Sequence, residues 1–292
     1  MYNLTKMELY KVFKSISTWV IIAVVIAFSA FSAAMTGFDL DLMKDEQSAK
    51  EFFDNQNIVQ RVEYDEEVSA HIGIYVDTNY DWINGNINIG EYTVIMLQSG
   101  IYLILATIFT AIFVHTEYQN GYIKNIAGQI RFKGKLILAK LPALILFNVI
   151  MFAVVYLTNI LFVRIFIDTV DLSMTADMVK LILIQLLLHF AFCCVIMMLT
   201  SVTKSKAIGI AVGLICGGGI STLLWQGINI LVSQLFDNST FDIGEYTIAQ
   251  NVQLVGTSFD FNNTAKILLV GLCFIVATVG ISMFTANNRD VK

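Results

Sequence analysis

The sequence predicts an all-α integral membrane protein with six spanning helices. Three observations predict it. The chain has 292 residues, of which 57% are hydrophobic and only 14% charged, where a soluble domain carries roughly 25% charge. Its mean hydropathy is +0.70. Its apolar residues gather into six long runs, each near the ~20 residues that cross a bilayer as a helix. A single proline and abundant Ile, Leu and Val suit long helices. The four cysteines, Cys193, Cys194, Cys216 and Cys273, all sit inside apolar runs, as small buried hydrophobes rather than disulfide or metal partners.

The elements follow in order. In residues 1–16, Leu4, Met7, Leu9, Val12, Phe13 and Ile16 recur at helical spacing between Lys6, Lys11 and Lys14. That pattern predicts an amphipathic helix lying at the membrane surface. Residues 17–36 form the first span. Its apolar run of about 18 residues exceeds the ~7–15 of a signal-peptide core. Residues 37–92 are a hydrophilic insert with 13 acids against Lys44, Lys50 and Arg61. Residues 40–66 look helix-forming, and Asn84-Gly85-Asn86 marks a turn. The second span is 93–114 and the third 136–163, with Pro142 near its start, where a missing amide costs little. The fourth is about 179–200. Residues 201–206 link it to the fifth, about 207–234, and a polar interval, 235–264, precedes the sixth, about 265–285. Gly217-Gly218-Gly219 in the fifth span would allow close packing or a bend, packing being the simpler reading.

Six spans put both termini on one side. That side holds 12 of the 18 bases and only three of the 23 acids, Glu8, Glu117 and Asp290. Basic residues in short loops are retained in the cytoplasm. The expected placement is therefore the cell membrane with both termini cytoplasmic, and the acidic 37–92 insert extracellular.

Residues 115–140 carry the most distinctive pattern. Glu117 and Gly121 are four apart. Tyr122 and Lys124 follow, then Arg131, Lys133, Lys135 and Lys140. Gly121 permits a close or left-handed backbone where the chain leaves a membrane helix. Glu117 can accept hydrogen bonds, and Arg131 can pair with acids or lipid phosphates. An ordinary positive-inside loop would need the bases but not Glu117 and Gly121 at that spacing.

The run Glu117-Tyr-Gln-Asn-Gly121-Tyr-Ile-Lys124, with Arg131 and Lys140 beyond it, resembles the loop after the second helix in ABC-2 type permeases. Tyr122 stands where that loop usually has threonine. The amphipathic start, the insert after the first span and the six-span plan extend the resemblance along the chain, closest to bacteriocin-immunity and antibiotic-resistance permeases. The resemblance implies a permease subunit of an ATP-driven exporter. Glu117, Gly121, Tyr122, Lys124 and Arg131 would couple it to a cytoplasmic ABC ATPase. A second permease copy, identical or a sister subunit, would complete the pathway. No cofactor would bind this chain directly, since ATP and Mg would sit on the partner ATPase.

The chain lacks its own phosphate cradle. Between Gly128 and Lys135 the glycine spacing is wrong, and Leu136 stands where a hydroxyl is required. His71, His115 and His189 are far apart, with no zinc-protease spacing. Nothing points to nucleic acid, because topology explains the basic residues. Polar residues within the spans remain: Asn148, Gln185, His189, Gln226 and Asn229. They would line a substrate path or hydrogen-bond between helices. Gln185 and His189, four apart, share a helix face. The exported substrate would be amphipathic: a peptide antibiotic, a drug or a lipid. The alternative function is a stand-alone receptor or immunity protein that captures a toxin without transport. A lone channel fits worse, because the spans lack intramembrane charges.

Overall fold

The computed structural model describes residues 1–43, 82, 87–119, 132–167, 170–236, 242–255 and 261–288. Among these the architecture is helical apart from one two-residue bridge. Helix α1, Tyr2–Lys14, carries Lys11 and Lys14 in its last turn, where cations complement the helix dipole. It stops at Ser15, which is extended. Its exposed terminal carbonyls are met by the next helix: Thr18 Oγ1 donates to the Val12 carbonyl at 2.6 Å and Trp19 Nε1 to that of Phe13 at 3.0 Å.

Helix α2 runs over Ile16–Met43, beyond the span expected at 17–36. The helix expected at 40–66 lies outside the described residues past Met43, as does the Asn84–Asn86 turn. Strand β1, Ile87–Asn88, pairs in parallel with β2, Val170–Asp171. Asn88 then caps helix α3, Ile89–Gln98, its Oδ1 accepting from the amides of Gly90 and Glu91. Its Nδ2 donates to Asp171 and to the Ser173 carbonyl, so one side chain starts a helix and ties two connections together.

The second expected span is a broken helix: α3 gives way to α4, Ile101–Gln119, at Gly100, which has φ +77°. Helix α5 is Gly134–Phe166. Pro142 lies inside it rather than at its start, so its ring removes the amide that would bond the Leu138 carbonyl. Bundle neighbours make such prolines tolerable in a membrane. Helix α6, Ala176–Thr203, is capped by the Thr175 hydroxyl, which accepts from the Met178 amide. It ends at Lys204, which adopts φ 56°.

The stretch expected as one fifth span is two helices, α7 (Lys206–Gly217) and α8 (Ile220–Phe236), bent by 70°. Gly219, at φ +77°, makes the corner. The glycines serve packing as well as the bend. A Cβ on Gly209 would come 2.5 Å from Thr200 Oγ1, and one on Gly213 would strike Thr107 Oγ1. The two broken helices meet at their breaks, where a Cβ on Gly100 would strike the Gly217 carbonyl.

The polar interval before the last span holds a short 3-10 turn, Gly244–Tyr246, and helix α9, Ile248–Leu254. Ile248, Ala249 and Val252 are buried, so this interval packs into the bundle instead of merely connecting. Helix α10, Phe261–Asn288, packs most extensively on α6.

Five described helices are long and apolar enough to cross a membrane, or six if the bent pair counts as one span. The core between α2, α4 and α5 is closed by stacked rings, Phe109 on Phe147 at 3.6 Å between centroids. In lipid this packing, rather than transfer from water, holds the helices together. One end of the bundle carries α1, the end of α4, the start of α5 and the end of α10. There the Gly134 amide donates to Asn287 Oδ1 at 2.9 Å.

Candidate functional site

At that end the structure sets four charges in a ring, three of them buried and Lys11 partly exposed at its edge. Glu8 and Lys11 come from α1, Glu117 from the last turn of α4 and Lys140 from the second turn of α5. Lys11 Nζ lies 3.1 Å from Glu8 Oε1 and 2.5 Å from Glu117 Oε1. Lys140 Nζ lies 2.5 Å from Glu117 Oε2 and 3.5 Å from Glu8 Oε2. Charges alternate around the ring and sum to zero. Glu8, Glu117 and Lys140 are 1%, 5% and 2% exposed, so water screens them little. Lys140 also stands 5.4 Å over the Phe113 ring, a cation–π contact.

Helical spacing builds the ring. Glu8 and Lys11 are three apart and share a face of α1. Glu8 is placed inward because α1 packs along α5. Burial pushes the Glu8 carboxyl up from 4.5 to about 6. Lys140 and Lys11 pull the other way, and the Glu117 carboxylate adds to the rise.

Glu117 and Lys140 bracket the basic connection. Their contact clasps its two ends, and α1 is fastened to the clasp through Glu8 and Lys11. Glu117 is therefore paired within its own chain rather than presented to a partner. Gly121, Tyr122, Lys124 and Arg131 lie outside the described residues. Two members, Glu8 and Lys11, were missed by sequence reasoning. The available signal was that Glu8 is the only acid in the basic first 16 residues.

The intramembrane polar residues divide into two groups. Asn148, Gln185 and His189 are fully buried, Asn148 and His189 where α5 meets α6 and Gln185 bonded to the Val252 carbonyl of α9. Gln226 and Asn229 lie on α8. Asn229 Nδ2 donates to Asp242 Oδ1 at 2.7 Å, and its Oδ1 accepts from the Ile243 amide. That fastens α8 to the segment before the 3-10 turn. No group of three or more His, Cys, Asp or Glu among the described residues could hold a metal ion.

The ring offers no nucleophile or acid–base pair facing a cavity. It can transmit displacement, because moving any one of its three helices must move or break the others. Comparison with known families gives one match: a family described as ABC-2 family transporter protein covers residues 2–256. No curated protein matches the chain.

Proposed function

The chain belongs to the ABC-2 family of transporter proteins, as a membrane transport component, and on that premise we propose that it is the permease subunit of an ATP-driven exporter, coupled through residues 115–131 to a separate cytoplasmic ABC ATPase. The observation that carries the coupling is the ring of Glu8, Lys11, Glu117 and Lys140, buried except at Lys11. A partner pressing on the connection between α4 and α5 moves a clasp rather than a free loop. Glu117 passes the displacement to Lys140 and so to α5. Lys11 and Glu8 pass it to α1. On this reading Gly121, Tyr122, Lys124 and Arg131 touch the partner, and ATP and Mg belong to that partner.

Two permease copies, identical or sister, form the pathway in the cell membrane, with both termini cytoplasmic. The 37–92 insert, with 13 acids against three bases, faces outward. It favours an amphipathic, cationic substrate such as a peptide antibiotic.

The test separates the clasp from simple stability. Glu117→Gln alone takes from the buried Lys140 ammonium its nearer partner and leaves only Glu8 at 3.5 Å, which should cost up to about 3–5 kcal/mol. Glu117→Gln with Lys140→Gln removes one charge of each sign and leaves the Glu8–Lys11 pair. Reconstituted with its ATPase, this double variant should insert and support ATP hydrolysis but lose at least about tenfold in transport, equivalent to about 1.4 kcal/mol of coupling. Gly121→Val should do the same. Transport at the unaltered rate in both variants would contradict the coupling role.

A further inference from the structure

The seam between α5 and α6 holds polar groups that the clasp does not use. On α6, Gln185, His189 and Cys193 follow at intervals of four and share one face. On α5, Asn148 and Phe152 are one turn apart and meet that face. The Phe152 ring stands edge-on to His189 with centroids 5.0 Å apart. Asn148 Nδ2 donates to Cys193 Sγ at 3.5 Å. Asn148, Phe152, His189 and Cys193 thus meet across the seam, and Gln185, a turn beyond His189, extends its side chain to α9.

The orientation of each polar group is fixed by a partner that can only accept. Asn148 Nδ2 donates to the Leu144 carbonyl at 2.8 Å. Gln185 Nε2 donates to the Val252 carbonyl of α9 at 2.8 Å. Backbone carbonyls have no proton to give, so neither amide can be turned round. His189 Nδ1 lies 2.8 Å from the Gln185 carbonyl, so Nδ1 carries the proton. No carboxylate among the described residues pairs with these groups, and burying an unpaired imidazolium this deep is costly. The ring is therefore neutral, and its Nε2 is an acceptor.

Three atoms are left over: Asn148 Oδ1, Gln185 Oε1 and His189 Nε2, each buried with no partner among the described residues. All three accept and none donates, so they cannot satisfy one another. A buried acceptor left without a donor is costly, so these atoms call for a donor that the described residues do not supply. A cation would meet acceptors but no compensating anion. A neutral donor meets them at no charge cost.

We propose that this seam is a buried water site, in which water donates to Asn148 Oδ1, His189 Nε2 and Gln185 Oε1. Buried waters typically make about three hydrogen bonds to otherwise unsatisfied groups, and polar residues inside spans are where membrane proteins keep water. Such water gives the seam a way to shift. When α5 moves against α6, water can re-form bonds that fixed side chains would lose.

The test is solid-state NMR on the full chain in proteoliposomes, with nitrogen-15 histidine. His189 is assigned by the loss of its signals in His189→Gln. Should that variant fail to fold, the assignment uses a His71→Gln, His115→Gln chain, in which His189 is the only histidine. Polarisation starting on water should reach His189 at short mixing times. The Nε2 signal should show an unprotonated nitrogen accepting a hydrogen bond, and the transfer should vanish in D2O. A bare Nε2 that receives no water polarisation would overturn the proposal, and so would a ring protonated at Nε2. The readout involves neither transport nor ATP hydrolysis, so it succeeds or fails apart from the coupling role.

Discussion

Glu8 is the member of the ring most exposed to pH. Its carboxyl, facing Lys11, Lys140 and Glu117, titrates at about 6 in the folded chain against 4.5 when unfolded. Between those values the folded state holds a proton that the unfolded state releases. This group therefore favours the fold most below pH 4.5, and that contribution is lost as pH rises through about 6. The difference is at most about 2 kcal/mol. Thermal unfolding at pH 5 and pH 7 should show the wild type gaining stability at pH 5 relative to Glu8→Gln. Parallel profiles would contradict the burial of a titrating Glu8. At this scale the sequence carried half the site. Glu117 and Lys140 stood out by spacing around the basic connection. Their pairing with α1 did not, because it joins residues more than a hundred positions apart, and periodicity reports only neighbours along a helix.

The helices themselves were legible wherever an apolar run was long and unbroken, as in α5, α6 and α10. Their breaks were less so. Hydropathy is blind to a glycine corner, so the chain through Gly100 and the chain through Gly219 each looked like one continuous span. The Gly217–Gly219 run hinted at a bend and at packing, and the structure uses it for both. Helix α9 was missed because it is short and lies in a polar interval. Its apolar side, Ile248, Ala249 and Val252, becomes meaningful only against α6. The clearest consequence concerns α7, whose Gly213 lies hard against Thr107 of α4. Gly213→Leu should force the two helices apart and lower stability by about 1–3 kcal/mol, the usual cost of overpacking. Gly227, where a Cβ would meet nothing within 4 Å, is the control. Gly227→Leu should insert and unfold like the wild type, and equal losses at both sites would contradict the close approach of α7 to α4.

At the scale of the whole molecule, a bundle of five or six candidate spans with a clasped connection fits the proposed role of a transport subunit. The chain has the mechanical parts but no phosphate cradle between Gly128 and Lys135. On the proposed reading, ATP-driven work enters from a partner protein at the end where α1, α4, α5 and α10 meet. Composition alone disclosed the membrane, and the pattern from Glu117 to Lys140 disclosed the family. The substrate was not legible, because the polar groups within the spans serve packing and hydrogen bonding as readily as a substrate path. The most direct measurement is purification of the chain from its native cells in mild detergent, with co-purifying proteins identified and quantified by mass spectrometry. An ABC-type ATPase recovered in near-equal amount is the predicted result. A well-folded chain that comes out alone each time would contradict the exporter and favour a receptor that captures its toxin unaided.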